Sequence, residues 1–269
     1  MQTIFGLSNL RKKIKDSVVV IGVFDGMHRG HRYLIKKAVT AARRLRKKAV
    51  CITFDPHPKG EPYLISLKHR LKLIKALGIQ HCLIIRFNKK FAEITPELFV
   101  KDILAKWFHP QSLFVGRKFR FGYRAKGDVS VLASLGEDFG FKVKPVKELH
   151  IAGKKASSRG IRNLIRAGKL AEARKPLGRN VSVLGTVIKG AQRGRPLGYP
   201  TANINPHHEV LPKEGVYAVK VVCHNREYKG ICNIGHRPTF ASGDDNQTVE
   251  VHMFDFHKNI YGEDIEIKF

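Results

Sequence analysis

Acidic side chains are scarce in this 269-residue chain: 22 Asp and Glu stand against 50 Lys and Arg, a formal net charge of +28. That imbalance attracts anions and can mean nucleic-acid binding. The basic clusters, at 11–15, 43–48, 142–147 and 193–195, are scattered rather than gathered in a tail, and nucleotides are anions too. With no zinc-finger spacing and no RNA-recognition aromatic motif beside them, they read as a solvated basic surface and give no specific case for nucleic acid. Cysteine is also sparse. Cys51, Cys82, Cys223 and Cys232 form no C-x-x-C pair, so neither a zinc site nor a disulfide framework is suggested, and all four read as structural. No apolar run approaches the roughly 20 residues that span a bilayer, and the N-terminus lacks a signal-peptide core. A cytoplasmic protein with no membrane partner is expected. Hydrophobic residues make up 43% of the chain, ordinary for a globular protein of this length, which suffices for two domains.

What is present is concentrated at Gly22–His31, GVFDGMHRGH. The preceding β-branched run SVVVI is of the kind buried on both faces of a parallel sheet. Gly22 and Gly26 let the chain turn tightly and approach a ligand. A helical stretch follows from Arg29, with Leu34, Ile35, Ala38, Val39, Ala41 and Ala42 forming an apolar face. His28 and His31 therefore stand at a helix N-terminus, where free N–H groups and the dipole attract phosphate. At three positions' spacing both rings can lie on one face and donate to phosphate oxygens. Phosphoryl and nucleotidyl transfer rest mainly on positioning and charge stabilisation, so such donors suit that chemistry.

Strand-like and helical runs alternate up to about residue 180, which predicts a parallel α/β sheet with its ligand at the carboxyl ends of the strands. A single short helix is expected over 159–173. From Val181 the pattern becomes closely spaced strands with glycine turns, an antiparallel barrel or sandwich. The expected domains are 1–180 and 181–269.

At this point the residues resemble a known family. The H-x-G-H signature is that of the nucleotidyltransferase superfamily, and GVFDGMHRGH is similar to its form in the bacterial bifunctional riboflavin kinase/FMN adenylyltransferases. TFDPHP (53–58), VGRKFRFGYRAKGD (115–128), SSRGIR (157–162), GRPLGYPTANI (194–204), EGVYAV (214–219), NIGHRPTF (233–240) and VEVHMFDF with IYG (249–262) agree in order and spacing. The resemblance implies a Rossmann-like nucleotidyltransferase sheet followed by a small riboflavin kinase-like barrel. It also implies ATP as co-substrate, Mg2+ as cofactor, and FMN, riboflavin and FAD as the other ligands.

Carried over residue by residue, the resemblance gives His28, His31 and Glu250 catalytic roles, Glu250 as the base toward the riboflavin 5′-hydroxyl. Gly22, Phe24, Asp25, Gly26, Gly30, Ser157, Ser158, Arg162, Gly198 and Pro200 fall to ATP and its phosphates. Asp55, His57, Phe119, Phe121 and Asp128 fall to the flavin, and Thr201 and Asn203 to the metal, as hard oxygen donors of the kind magnesium prefers. Two positions depart from the family pattern: Lys118 replaces a common Asp, and Arg159 replaces a Thr or Ser. Family members continue past the strand that ends here at Phe269, so a shortened barrel with slow or absent riboflavin phosphorylation is expected. Two alternatives stay open: an adenylyltransferase with a structural barrel, and a nucleic-acid-binding regulator derived from the enzyme.

Overall fold

The computed structural model describes residues 1–151, 153–190, 200–236 and 247–269, apart from the side chain of Lys154. By its contacts the chain forms two compact units, Met1–Glu61 with Arg70–Ala156, and Pro62–His69 with Ser157–Phe269.

In the first unit, β1 (Gln2–Phe5), β2 (Ser17–Ile21), β3 (Lys48–Asp55), β4 (His81–Arg86), β5 (Pro110–Gly116) and β6 (Lys142–Val146) form one parallel sheet in the order β1-β4-β3-β2-β5-β6. The expected parallel α/β architecture is the observed one. Every residue of β2 is buried, as its β-branched run requires in a central parallel strand. Strand β1 was not foreseen, because its four residues at the sheet edge are partly exposed and show no apolar run.

The amphipathic helix α1 (Arg29–Arg44) packs on β2, β3 and β5 through Leu34, Ile35, Ala38, Val39 and Ala42. Helix α2 is Leu67–Ala76 and α3 is Lys89–Ala92. Helix α4 (Pro96–Leu98) continues as a wide π-wound stretch, Phe99–Phe108. Its Phe99, Val100, Ile103, Leu104 and Phe108 share one core with Val19, Ile21, Val50, Ile52, Leu83 and Leu113. Each such fully buried aliphatic side chain contributes about 1.5–3 kcal/mol. Helix α5 (Val129–Asp138) and the small hairpin β7 (His150–Ile151) and β8 (Lys154–Lys155) complete the unit.

The strand order positions the site. From β2 the chain steps outward through β3 and β4, then returns to the other side of β2 for β5 and β6. The direction of winding reverses between β2 and β5, and in open parallel sheets the crevice at the carboxyl ends of such a strand pair is where ligands bind.

In the second unit, α6 (Ser158–Arg166) and α7 (Leu170–Leu177) precede β9 (Ser182–Ile188), β10 (Ala202–Asn205), β11 (Gly215–Cys223), β12 (Arg226–His236), β13 (Gln247–Met253) and β14 (Asp264–Lys268). The single helix expected over 159–173 is two helices, because Gly168 takes φ +74 and ends the first. The six strands close into an antiparallel barrel in the order β9-β10-β13-β12-β11-β14. Alternate residues such as Val219, Val221, Cys232, Ile234, Val249, Val251, Ile265 and Ile267 fill its interior.

Residues Pro62–His69 belong to this unit although the chain on both sides of them belongs to the first. His69 is fully buried, and its Nδ1 lies 3.1 Å from both carboxylate oxygens of Glu209. Its Nε2 is 3.5 Å from Glu266 and 3.4 Å from the Ser182 hydroxyl. Glu209 also accepts from the Ser66 hydroxyl and amide and from the Leu184 amide. Burial pulls the His69 pKa down, but the bonds to Glu209 and Glu266 and the Glu209 charge outweigh it, and the imidazole titrates above its ordinary value.

Candidate active site

At the carboxyl end of β2 the chain makes the turn that its glycines permit. A Cβ on Gly22 would lie 2.9 Å from the Phe24 ring, and Gly26 holds φ +70 between Phe24 (φ +54) and Met27 (φ +44). Phe24, Asp25, Gly26, Met27 and His28 are all buried. His28 is the N-cap of α1: its backbone is extended and its Nδ1 accepts from the His31 amide at 3.4 Å. With Nδ1 accepting, the ring proton of neutral His28 sits on Nε2.

The expectation that both rings share a face holds in a specific form. They stack, with centroids 3.6 Å apart and planes 22° from parallel, and the Phe24 ring meets His31 edge-on at 5.6 Å. Burial, reinforced by the Lys155 charge, pulls the His28 pKa down to about 4. Burial also depresses His31, with the neighbouring His28 and then the Arg70 charge adding to it, while a bond from its ring to the Asp25 backbone opposes the shift. Among the described residues, the buried Nδ1 of His31 has no hydrogen-bond partner.

Arg70, on α2, was not singled out in the sequence, where it is one of 50 basic residues. It is completely buried. Its Nη1 donates to the Val23 carbonyl at 2.9 Å, and its Nη2 donates to the Phe54 carbonyl at 3.0 Å and to Asp55 Oδ1 at 3.3 Å. Val23 also accepts from the Thr53 hydroxyl at 3.0 Å.

Asp55 ends β3 and His57 follows in the next loop, where its Nδ1 accepts from the Lys59 amide. After β5, Phe119 stacks on Phe121 with centroids 5.7 Å apart. Two of the flavin candidates also have parts in the fold itself. Phe121 is a core residue, 7% exposed, packed with Phe99 and lying under Gly127, whose Cβ would meet its ring at 2.7 Å. Asp128 is the N-cap of α5: its Oδ1 accepts from the Ser130 and Val131 amides, and Arg120 pairs with Oδ2, which together depress its pKa. Lys118 and Lys155 both pair with Glu148.

Ser157, Ser158 and Arg162 fall in the second unit. Ser157 caps α6 through the Gly160 amide, Ser158 opens that helix, and buried Arg162 donates to the Pro62 carbonyl at 2.8 Å. The departure at Arg159 lies in the same first turn.

In the barrel, Asn203 and Glu250 are cross-strand partners, and Glu250 is paired on its other side with Asn233. The three residues therefore form a row across β10, β13 and β12, on the face opposite Val249, Val251 and Ile204. Asn233 opens the stretch NIGHRPTF, and only the strand register shows it beside Glu250. The Asn203 side chain is buried, and a Cβ at Gly190 would collide with its amide. Pro200 and Thr201 line a cavity of about 340 Å³ with Met253, Phe256, Lys258 and Tyr261 among its other walls. Gly198 lies outside the described residues.

A stacked histidine pair at a helix N-terminus and the switch point of a parallel sheet, in a chain that also carries a closed barrel with a carboxylate–amide row, points to a nucleotide-using transferase built as two units. Similarity makes this particular. An FAD synthetase family model matches residues 10–160 and a riboflavin kinase model matches 177–269. The chain is 38% identical to the bifunctional riboflavin kinase/FMN adenylyltransferase of Buchnera aphidicola subsp. Schizaphis graminum, over 99% of this chain and 88% of that one. It is 37% identical to the protein of that name from Listeria monocytogenes, over 94% and 82%, and 33% identical to that of Escherichia coli K12, over 99% and 88%. A crystal structure of a macrolide-efflux protein from Streptococcus pneumoniae matches with a TM-score of 0.84 at 31% identity, covering 100% of this chain and 90% of that one. The chain belongs to the bifunctional riboflavin kinase/FMN adenylyltransferase family and is a transferase of FAD and FMN biosynthesis. No helix among the described residues is long and apolar enough to cross a membrane.

Proposed function

We propose that the first unit joins ATP and FMN into FAD and that the barrel phosphorylates riboflavin to FMN. In the first reaction an FMN phosphate oxygen attacks the α-phosphorus of ATP, the bond to the β-phosphate oxygen breaks, and pyrophosphate leaves. The stacked His28–His31 pair, with the unpartnered Nδ1 of His31, is the observation that carries this reading. Neutral His28 donates Nε2–H to the phosphates. His31 spends one ring nitrogen on the Asp25 backbone, so its Nδ1 donates only once the ring gains a proton, which the negative charge of the triphosphate favours. Gly22, Gly26 and Gly30 keep the backbone close to the phosphates, with Phe24 and Asp25 shaping the turn. Phe119 is the partly buried aromatic that best suits the flavin ring, with Asp55 and His57 on the same sheet edge.

In the barrel, Glu250 accepts the proton of the riboflavin 5′-hydroxyl, whose oxygen attacks the γ-phosphorus as ADP leaves. Thr201 and Asn203 offer the hard oxygen donors that Mg2+ takes, and a buried amide beside a carboxylate fits it. When bound, the ion would neutralise phosphate charge. Pro200 bounds the cavity that would receive the nucleotide or flavin. The protein works in the cytoplasm.

The test separates riboflavin, FMN and FAD chromatographically after incubation with each flavin, ATP and magnesium. His31→Ala lowers FAD formation on the order of 10²-fold and leaves phosphorylation intact. Glu250→Ala abolishes phosphorylation and spares FAD formation. Loss of both activities in either variant contradicts the division of labour.

A further inference from the structure

A completely buried guanidinium is costly, since the charge leaves water and returns energy only through well-made partners. Replacement by a packed apolar side chain is often neutral or better for stability, so Arg70 invites a reason beyond the core. Its partners supply one. The Val23 carbonyl sits at the start of the turn after β2, and the Phe54 carbonyl and Asp55 carboxylate sit at the end of β3. Between Val23 and His28 lie Phe24, Gly26 and Met27, all at positive φ, in a single short turn closed by the Met27 amide on the Phe24 carbonyl at 3.2 Å. Phe24, the first of them, packs edge-on against His31. A planar fork reaches both strand ends at once, which a single ammonium cannot reproduce.

We propose that Arg70 is a positioning residue for nucleotidyl transfer, clamping the turn after β2 to the end of β3 so that Phe24 sets the His31 ring where the phosphates arrive. This rests on the histidine reading above. The guanidinium never touches substrate; it acts through the turn. Its charge is also one of the influences that lower the His31 pKa.

The experiment compares Arg70→Lys, Arg70→Gln, His31→Ala and the Arg70→Lys/His31→Ala double variant in the full chain. It measures FAD formation, the unfolding midpoint and the NMR titration of His31. The expected result is a fall in kcat for Arg70→Lys of about 10- to 10²-fold, the scale of a small misplacement of a catalytic group, with KM for ATP changed less than threefold. In Arg70→Gln the His31 titration moves to higher pH. In the double variant Arg70→Lys adds nothing to the loss from His31→Ala, because both act through one ring. Wild-type turnover in folded Arg70→Lys and Arg70→Gln overturns the inference alone. An undiminished multiplicative loss in the double variant also overturns it, since Arg70 would then act elsewhere. Full activity in His31→Ala overturns both the inference and the functional reading beneath it. If Arg70→Gln fails to fold, the kinetic comparison in Arg70→Lys still decides.

Discussion

His28 and His31 are adjacent and stacked, yet the hydrogen bonds around them give them different tasks. The α1 cap fixes the proton of His28 on Nε2, whereas His31 has committed a ring nitrogen to the Asp25 backbone and keeps a buried, bare Nδ1. On the proposed reading, a triphosphate arriving beside the pair meets the Nε2–H of neutral His28, while His31 can donate from Nδ1 only by taking up a proton. Calorimetric titration of ATP at pH 7 in buffers of different ionisation enthalpy is expected to show net proton uptake in the wild type, and much less in His31→Ala. An uptake that survives His31→Ala removes that assignment. Both histidines were legible in the sequence, because strand, glycine turn and helix start are all local signals. Asp128 was legible too, and a GD pair ahead of an apolar run is also the signature of a helix cap, which it forms. Arg70 was invisible, because nothing in its neighbours distinguishes a lysine-like surface position from a fully buried one.

At the scale of the element, the segment Pro62–His69 is held by the buried His69 with Glu209 and Glu266. The pKa of His69 is raised in the fold above its ordinary 6.5. Below about 6.5 both folded and unfolded forms bind that proton and the contribution to stability is complete; it fades as pH rises through the raised value. His28 has the opposite sign. Its folded pKa of about 4 lies below 6.5, so stability falls as pH drops from 6.5 toward 4, where the unfolded chain takes up the proton first. Thermal unfolding across pH is thus expected to weaken on both sides of the neutral region, and His69→Gln should flatten the alkaline side while costing about 3 kcal/mol. An alkaline slope unchanged in His69→Gln would locate its origin in another group. The barrel itself was legible from strand spacing and glycine turns. The choice between barrel and sandwich was not, because closure depends on β9 pairing with both β10 and β14, a long-range choice that spacing leaves open. For the same reason the Asn203–Glu250–Asn233 row emerges only from register.

For the whole molecule, the charge of +28 sets long-range behaviour more than structure. Oligonucleotide binding measured by fluorescence anisotropy is expected to be weak, without sequence preference, and gone by about 0.2 M salt. Retained selective binding at that salt would favour the nucleic-acid alternative. The path of Pro62–His69 has another consequence, for modularity. Two activities in two units suggest cassettes to be exchanged by one cut near Ala156, but one unit's chain detours through the other. A fragment 1–156 would carry Leu64 and Ile65, each 3% exposed in the whole protein, into water, and a fragment 157–269 would leave Glu209 without His69 and Ser66. Each fragment alone is expected to be poorly soluble and the two co-expressed to reassemble, as size-exclusion chromatography would show. A functional graft of either unit between relatives would then have to transfer two separate stretches of chain together, so that the gene, though bifunctional, divides at no single codon.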